Sequence, residues 1–438
     1  MPHYHLWTIG CQMNKAESQR IAGMLADAGF EQSPRLDAAD LVVLNTCVVR
    51  QSAEDRIVGT LGLLAGWKRE RPEMRIAVTG CFTARDREEL HRRYPHVDLF
   101  FGSGEYDALS GWLESRSPHS VQHPVSIASP ASACSGQTEA LSAVSAYVPI
   151  IRGCNNFCTY CIVPYTRGRE LSLPAEAIEE DVIRLVSRGV REIVLLGQNV
   201  DSYGHDLPGT PSLADLLVRL HPIEGLRRLR FLTNHPKDMS GGLIHAMATL
   251  DKVCEHLDLA LQSGDNDILN AMGRRYTVED FTRLVTDLRR AIPHVSIATD
   301  IIVGFPGETD EQFEHTLAVI EQLRFDVVHV AAYSQRPGTL AARRFSDSVP
   351  EDAKHARLRS IETLQEAIAS EINAEYLRRE VEVLVQGTRR GKWFGRTRTH
   401  KLVFFEGEGD FAGAMVRAVI FKTSPWALQG NLVYNSTV

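Results

Sequence analysis

Several features that would assign a protein to a common class are missing from this 438-residue sequence. No apolar run reaches the roughly 18 residues that a membrane-spanning helix needs. The first residues, MPHYHLWTIGCQMN, contain neither the basic start nor the long apolar segment of a signal peptide. We therefore expect a soluble, cytoplasmic protein that does not contact a membrane.

An excess of positive charge is also absent, because the formal net charge is −7 at pH 7. This balance argues against a uniformly basic nucleic-acid binder but is compatible with a local basic patch. Cysteine is scarce, with eight residues in the chain. Thiols stay reduced in the cytoplasm, so these cysteines indicate metal binding or catalysis rather than disulfides.

The order of strand-like and helical patterns predicts three domains and one linker. Residues 1–114 alternate short apolar runs with amphipathic segments, which favours a parallel α/β domain. A stretch rich in Ser, Ala and Pro at 115–143 is predicted to be a linker. Six βα repeats in 144–374 fit a partial (β/α)6 barrel better than a closed barrel of eight, and 375–438 indicates a small antiparallel β-barrel.

Three cysteines of the N-terminal domain occupy equivalent positions. Cys11, Cys47 and Cys81 each follow a predicted strand, in HLWTIGC, LVVLNTC and RIAVTGC. The carboxyl ends of parallel strands lie at one edge of a sheet, where ligands bind, so we expect the three thiols to converge there. A buried structural role is the alternative for any one cysteine, but it accounts poorly for three equivalent positions.

A second set of cysteines is compact and follows the first predicted strand of the barrel. The sequence CNNFCTYC contains Cys154, Cys158 and Cys161. Structural zinc normally has a nearby fourth Cys or His, and the next such residue, His205, lies more than forty residues further on. In an iron–sulfur cluster four cysteines saturate the irons, so three leave one iron open to a ligand that is not protein.

These motifs carry a family resemblance. The sequence CNNFCTYC on a partial barrel resembles the signature of the radical S-adenosylmethionine superfamily. With the N-terminal cysteine domain and a terminal barrel similar to a TRAM domain, nearly the whole chain resembles the methylthiotransferases of that superfamily. The segments GCQMN, NTCVVRQSAED and CNNFCTYCIVPYTRGRE are most similar to the branch that modifies N6-isopentenyladenosine beside the tRNA anticodon.

The resemblance implies an activity, cofactors and partners. The activity is the addition of a methylthio group to carbon 2 of the adenine, with two [4Fe–4S] clusters and S-adenosylmethionine as cofactors. Cys154, Cys158 and Cys161 are expected to hold the cluster that reduces and cleaves S-adenosylmethionine. The auxiliary cluster, which carries the sulfur to be transferred, is expected on the N-terminal cysteines Cys11, Cys47 and Cys81. The expected partners are tRNA and an electron donor such as a flavodoxin or ferredoxin, and the chain is expected to be a monomer.

The resemblance also implies contacts with S-adenosylmethionine near the first two barrel strands. Tyr160 is expected to pack on the adenine, and a half-buried loop aromatic is the alternative. Gln198 and Asn199, in GQNVDSYG, end the second strand, where the superfamily binds the amino group of the cofactor.

Two further cofactor contacts are implied at the fourth and fifth strands. Gln262 and Ser263, in ALQSGD, are expected at the ribose, and a helix N-cap by Ser263 or Asp265 is the alternative. Asp300 lies in DIIVGFPGET together with Glu308, and this motif is expected to approach the adenine. An ordinary βα turn is the alternative for this motif.

A basic stretch near the C-terminus predicts RNA binding. From position 378 to 401 the chain has eight Lys or Arg residues against two Glu. Within it, cations that can bind phosphates alternate with aromatic rings that can stack on bases. The residues concerned are Lys392, Trp393, Phe394, Arg396, Arg398 and Lys401. A solvated face of the β-barrel is the alternative. Arg167 and Arg169, close to the second cysteine set, are expected to contact RNA or substrate, or to pair with acids.

Other functions remain open at this point. The same architecture is compatible with methylthiolation of threonylcarbamoyladenosine in tRNA or of a ribosomal-protein aspartate. A non-catalytic RNA-binding protein whose cysteines hold zinc is an alternative from another class. Cys134 and Cys254 belong to neither set and are expected to be structural or incidental.

Overall fold

The computed structural model describes residues 1–48, 51–84, 86–115 and 144–433. The linker predicted at 115–143, including Cys134, thus lies almost entirely outside the described residues. The chain forms two compact units. The described part of unit 1 is 1–48, 51–84, 86–115, 152–155 and 162–170, and that of unit 2 is 144–151, 156–161 and 171–433.

Unit 1 contains a five-stranded sheet in the order β2-β1-β3-β4-β5, in which all neighbours are parallel. Its strands are β1 (His3–Thr8), β2 (Glu31–Gln32), β3 (Leu41–Thr46), β4 (Arg75–Gly80) and β5 (Leu99–Phe100). Its helices are α1 (Gln12–Asp27), α2 (Gln51–Glu70), α3 (Arg87–Arg93) and α4 (Tyr106–Glu114). The predicted parallel α/β fold is confirmed.

The central strand β3 shows why this sheet forms. All six of its residues, LVVLNT, are buried. Val42 and Leu44 pack in one apolar cluster and Leu41 and Val43 in another, because successive side chains of a strand point to opposite faces. A strand covered by helices on both faces needs such a continuous apolar run.

Unit 2 begins with a partial barrel of parallel strands. Two sheets, β10-β9-β6 and β11-β12-β13, are linked by backbone bridges between Leu229 and Val253 and between Asn234 and Leu259. The strands of this region are β6 (Ser145–Pro149), β7 (Ile151–Arg152), β8 (Leu171–Ser172), β9 (Glu192–Leu196), β10 (Arg228–Phe231), β11 (His256–Asp258), β12 (Ser296–Val303) and β13 (Val327–Ala332). The predicted six-strand barrel is confirmed.

The helices around the barrel follow the amphipathic patterns of the sequence. In α6, for example, Ile178, Val182 and Leu185 recur at helical spacing and are buried. The start of α10 is fixed by a capping box between Thr277 and Asp280. The helices of unit 2 are α6 (Ala175–Ser187), α7 (Leu213–Leu220), α8 (Gly241–Thr249), α9 (Asn266–Ala271), α10 (Val278–Ala291), α11 (Asp310–Leu323), α12 (Leu340–Arg344) and α13 (Glu351–Ala374). The short helix α5 (Val163–Thr166) belongs to unit 1.

Unit 2 ends in a closed five-stranded barrel in the order β14-β15-β16-β18-β17. Its strands are β14 (Glu380–Arg389), β15 (Lys392–Arg396), β16 (Leu402–Glu406), β17 (Met415–Thr423) and β18 (Leu428–Leu432). Val383, Val403, Ala418, Ile420 and Leu428 form its apolar core. The predicted small β-barrel is confirmed, with the difference that β16 and β18 pair in parallel.

Within the described residues, no helix combines the length and the apolar character that crossing a membrane requires.

Candidate functional site

The three N-terminal cysteines lie at one edge of the sheet of unit 1. Cys47 directly follows β3 and Cys81 directly follows β4, and Thr46 pairs with Gly80 at the ends of these neighbouring strands. On the other side of β3, Cys11 lies three residues beyond the end of β1. Cys11 is exposed, whereas Cys47 and Cys81 are buried. The predicted placement at the carboxyl ends of neighbouring strands is confirmed.

Glycines precede two of these cysteines because the turns are tight. Gly10 has a φ of +140°, and a Cβ there would lie 2.9 Å from the Cβ of Cys47. Gly80 has a φ of +91°, and a Cβ there would lie 2.2 Å from the carbonyl oxygen of Thr46. The backbone thus approaches the neighbouring strand at both sites more closely than any side chain permits.

A buried ion pair lies beside the N-terminal cysteines. The Arg167 Nη1 is 2.8 Å from the Glu17 Oε1, and their side chains are 2% and 8% exposed. The same nitrogen donates to the hydroxyl of Ser103 at 3.1 Å. Burial raises the pKa of the Cys81 thiol, and the Arg167 guanidinium acts in the opposite direction. Of the two roles left open for Arg167, pairing with an acid is confirmed.

Breaking this pair is expected to destabilise unit 1. Glu17→Gln leaves a buried guanidinium without its counter-charge, so we expect a loss of about 3 kcal/mol in the free energy of unfolding. Denaturant unfolding followed by circular dichroism measures this change. The matched control is Asp37→Asn, because Asp37 pairs with Arg35 on the surface, and we expect no change there. Equal stability of the two variants would contradict the structural role of the Glu17 carboxylate.

The second cysteine set lies in the loop between β7 and α5. Cys158 is 8% exposed, and the amide of Cys161 donates to the Cys158 carbonyl at 3.0 Å. Both belong to unit 2, whereas Cys154 belongs to unit 1, where its amide donates to the Gly168 carbonyl at 3.2 Å.

Tyr160 packs in an apolar cluster that includes Phe305 and Tyr333. Burial raises the pKa of the Tyr160 hydroxyl well above its usual value. Its contact with the adenine stays a prediction. At the end of the second strand, Gln198 is half-buried, while Asn199 is 1% exposed and donates to the Asp238 carboxylate at 2.7 Å. The Asn199 amide therefore already orients a neighbouring acid, and its contact with the cofactor also stays a prediction.

The fourth strand ends in a constrained turn. Gln262 adopts a φ of +77°, which is rare for a residue with a side chain, and its amide donates to the Asp300 carbonyl at 2.8 Å. Ser263 is fully buried, and its hydroxyl accepts from the Asp265 amide at 3.3 Å. The N-cap of α9 is Asp265. Ser263 thus stabilises the turn in this structure. The contacts of Gln262 and Ser263 with the ribose stay predictions.

At the fifth strand, Asp300 is exposed and Glu308 is buried. The Glu308 carboxylate accepts from the Gly304 amide at 2.6 Å and pairs with Arg357 at 2.7 Å, so it supports the turn. The neighbouring carboxyl of Asp258 has a pKa raised to about 6, first by burial and then by Asp300. Of the two carboxylates in this motif, only that of Asp300 is exposed to solvent. Its contact with the adenine stays a prediction.

Two cations of the basic stretch 378–401 pair with acids of the partial barrel in unit 2. Arg398 pairs with Glu255 at 2.7 Å and also donates to two barrel carbonyls. Lys401 is 9% exposed and pairs with Asp326 at 2.6 Å. Acids of the partial barrel thus neutralise these two cations in this structure, and their contact with RNA stays a prediction.

Two buried arginines of β10 also bind the basic stretch, through its backbone carbonyls. Arg228 donates to the carbonyl of Arg396 at 2.6 Å. Arg230 pairs with Glu192 at 2.7 Å and donates to the carbonyls of Thr397 and Arg398 at 2.7 Å each. The segment 396–401 therefore joins the terminal barrel to the partial barrel. The sequence does not predict the roles of Arg228 and Arg230, because nothing in it distinguishes them from exposed arginines of a strand.

The terminal barrel has exposed aromatic rings elsewhere. Phe421 is 51% exposed and Trp426 is 66% exposed. Both lie at the hairpin between β17 and β18, together with the exposed Lys422. We call these three residues the hairpin surface. Trp393, by contrast, is half-buried and packs edge-on against Phe411.

The chain is similar to known proteins over nearly its whole length. Profiles of three families match the chain: the uncharacterized protein family UPF0004 over 3–102, the radical SAM superfamily over 148–320 and the TRAM domain over 374–433. A tRNA-2-methylthio-N(6)-dimethylallyladenosine synthase of Dehalococcoides mccartyi strain CBDB1 is 47% identical over 433 residues, covering 99% of each chain. Its counterpart in Herpetosiphon aurantiacus is 45% identical over 434 residues, covering 98% of this chain and 97% of the relative.

The chain belongs to the tRNA-2-methylthio-N(6)-dimethylallyladenosine synthase family.

Solved structures share the fold of this family member at low identity. The radical S-adenosylmethionine methyltransferase TsrM from Kitasatospora setae, with cobalamin and a [4Fe–4S] cluster bound, aligns with a TM-score of 0.56 at 14% identity, covering 78% of this chain and 77% of that one. The cobalamin-dependent radical enzyme OxsB aligns with a TM-score of 0.52 at 12% identity, covering 83% of this chain and 56% of that one. These likenesses concern the fold alone.

Membership of the radical SAM superfamily implies S-adenosylmethionine and [4Fe–4S] clusters, and the donor sets fit them. Among the described residues, none of the six cysteines of the two sets forms a disulfide. In the part of the chain that the structure describes, no three His, Cys, Asp or Glu side chains lie close enough together to hold a single metal ion. Each cysteine of a [4Fe–4S] cluster binds a different iron, so the ligands of a cluster stand further apart than those of one zinc ion.

Proposed function

We propose that this chain adds a methylthio group to carbon 2 of N6-isopentenyladenosine beside the anticodon of tRNA. The observation that carries the proposal is the 47% identity, over 99% of both chains, to a relative named for this reaction. Both three-cysteine sets support it, because they provide two ligand sets of the same chemistry in one chain. The reaction takes place in the cytoplasm, where tRNA and a reduced thiol pool are found.

In this proposal each cysteine set has its own role. Cys154, Cys158 and Cys161 hold the cluster that binds and reduces S-adenosylmethionine. Cys11, Cys47 and Cys81 hold the auxiliary cluster, which carries the sulfur. When bound, the clusters and S-adenosylmethionine supply radical chemistry that acid–base side chains cannot provide at an unactivated aromatic carbon.

The protein supplies ligands, orientation and exclusion of water. Tyr160, Gln198, Asn199, Gln262, Ser263 and Asp300 remain the proposed contacts of S-adenosylmethionine. Among them Gln262 and Asp300 are joined by a backbone hydrogen bond, so the fourth and fifth strands position them together. Electrons come from a small protein reductant such as a flavodoxin or ferredoxin, and the chain acts as a monomer.

Anaerobic turnover with tRNA that carries N6-isopentenyladenosine tests this proposal, with nucleoside mass spectrometry as the readout. We expect the mass of a methylthio group on that nucleoside. The control is tRNA that carries threonylcarbamoyladenosine, which we expect to stay unmodified. A product on threonylcarbamoyladenosine alone, or on a ribosomal-protein aspartate alone, would overturn the substrate assignment. Binding of tRNA without any product, in a protein that contains zinc, would overturn the assignment as an enzyme.

The tRNA contacts the hairpin surface of the terminal barrel in this proposal. Phe421 and Trp426 offer exposed ring faces on which bases can stack, and Lys422 adds a cation beside them. The backbone of β17 next to them binds Arg378 and Arg379, both exposed, which place further positive charge nearby. Such a combination of rings and cations is typical of RNA-binding surfaces.

Removing the two rings is expected to weaken tRNA binding. Each stacked base contributes about 1–3 kcal/mol, so Phe421→Ala and Trp426→Ala should each raise the dissociation constant about tenfold. Titration of labelled tRNA at fixed salt measures this change. Ile183→Ala is the matched control, because Ile183 is 50% exposed on α6, outside the terminal barrel, and we expect no effect there. If the variant with both replacements bound tRNA with wild-type affinity, the hairpin surface would not be a tRNA-binding site.

A further inference from the structure

A single guanidinium is buried against the second cysteine set. Arg274 is 7% exposed, and its Nη1 donates to the Cys158 Sγ at 3.4 Å. Its other nitrogens donate to the Ala260 carbonyl at 2.8 Å and to the Tyr276 hydroxyl oxygen at 2.9 Å. All of these residues belong to unit 2. The side chain is thus aligned at three points, one of which is a cysteine sulfur.

Backbone contacts hold Arg274 and Cys158 together. Thr159, next to Cys158, donates from its amide to the Met272 carbonyl at 2.8 Å and from its hydroxyl to the Ala271 carbonyl at 2.8 Å. The chain then turns at Gly273, whose φ is +73°, and the amide of Arg274 donates to the Leu269 carbonyl at 2.9 Å. The cysteine loop and the end of α9 therefore form one hydrogen-bonded assembly, and the contact does not depend on a flexible side chain alone.

No carboxylate of the described residues forms an ion pair with Arg274. Among the residues that the structure describes, none of the ion pairs includes Arg274, in contrast to Arg167, which pairs with Glu17. A buried cation is costly unless a negative group lies close to it. The sulfur of Cys158 is the neighbouring group that becomes negative when it binds iron, since cysteine binds metal as thiolate.

We propose that Arg274 raises the reduction potential of the cluster on Cys154, Cys158 and Cys161. The proposal rests on the proposed function, which assigns the cluster to these cysteines. Reduction adds one electron to the cluster, and a nearby positive charge that donates to a ligand sulfur stabilises the reduced state. Burial strengthens this effect because solvent does not screen the charge. Arg274 is a positioning and tuning residue, which binds neither substrate nor the transferred group.

A redox titration followed by electron paramagnetic resonance tests the proposal. The protein is the full chain with Cys11, Cys47 and Cys81 replaced by alanine, so that the second cluster alone is observed. At a fixed potential, Arg274→Gln should lower the ratio of reduced to oxidised cluster about tenfold, which corresponds to about 59 mV for a one-electron couple. Arg274→Lys keeps the charge and should recover most of the ratio.

The neighbouring arginine provides the matched control. Arg275 is exposed, so Arg275→Gln removes the same charge from a position that solvent screens, and the potential should stay unchanged. An unchanged potential in Arg274→Gln, or an equal shift in both variants, would overturn the proposal. If the Gln variant assembles no cluster, the Lys variant provides the test. A tenfold lower ratio of reduced to oxidised cluster in Arg274→Lys would overturn the proposal, because this variant retains the positive charge. The titration contains no tRNA, so its result is distinguishable from a failure of the methylthio assignment, which only nucleoside analysis reveals.

Discussion

Replacing Cys154, Cys158 and Cys161 together by alanine is expected to abolish cleavage of S-adenosylmethionine, and with it all methylthio transfer. These thiols are the proposed ligands of the cluster that takes up the reducing electron. Among the described residues, the buried Cys254 is the one cysteine that belongs to neither set. Loss of a residue that hydrogen-bonds to a metal ligand typically costs about 10–100-fold in metal affinity or activity, so loss of the ligands themselves should exceed that range. Anaerobic incubation with dithionite and chromatography of the nucleoside product measure the cleavage.

The buried Cys254 offers the control for this experiment. It is 2% exposed and belongs to neither cysteine set. Cys254→Ala removes a buried thiol from unit 2, to which Cys158 and Cys161 also belong, and cleavage should remain at the level of the unmodified chain. If the triple variant still cleaved S-adenosylmethionine, the assignment of Cys154, Cys158 and Cys161 as cluster ligands would be wrong.

Replacing Cys11, Cys47 and Cys81 by alanine is expected to abolish methylthio transfer but not cleavage of S-adenosylmethionine. Cleavage of S-adenosylmethionine should persist, because the second cysteine set is intact. Methylthio transfer to tRNA should fall below detection, because the proposed carrier of the sulfur is lost. Parallel assays of the cleaved nucleoside and of the modified tRNA nucleoside measure both activities in one sample.

The folding of unit 1 has to be verified in that variant. Cys47 and Cys81 are buried, so their truncation leaves small cavities at the ends of β3 and β4. Replacement by serine, which is closer in size to cysteine, gives a second variant with the same expected division of activity. Loss of cleavage in a folded variant that retains its second cluster would show that the two cysteine sets do not act separately.

The cysteine positions could be predicted from the sequence because strand periodicity determines them. Once LVVLNT and RIAVTG read as parallel strands, Cys47 and Cys81 had to lie at the same edge. The six strands of the partial barrel were predictable for the same reason. In the terminal barrel, β15 is harder to predict, because its residues lie in the basic stretch 378–401 and alternate cations with aromatic rings.

A count of charges does not reveal which cations of the stretch 378–401 have acidic partners. The acids that neutralise Arg398 and Lys401 are Glu255 and Asp326, which lie far away in the sequence and meet the cations only through the packing of unit 2. The same limit hid Arg274, which lies 116 residues from Cys158. Neither contact can be predicted from a local sequence motif.

The cofactor contacts illustrate a second limit. Amide and hydroxyl side chains near strand ends look equally suited to a ligand or to the turn itself. In the structure the Asn199 amide binds Asp238 and the Ser263 hydroxyl binds the backbone of Asp265, so both have structural partners. The predicted division at 115–143 and the boundaries of the three domains remain a proposal about how the chain is organised.

Iron and acid-labile sulfide analysis of the anaerobically reconstituted protein tests the central claim most directly. Two [4Fe–4S] clusters require about eight irons and eight sulfides per chain. We expect these values for the unmodified chain and about half of them for each triple cysteine variant. One or two zinc ions per chain, with no labile sulfide, would contradict the account and leave a zinc-stabilised RNA-binding protein in its place.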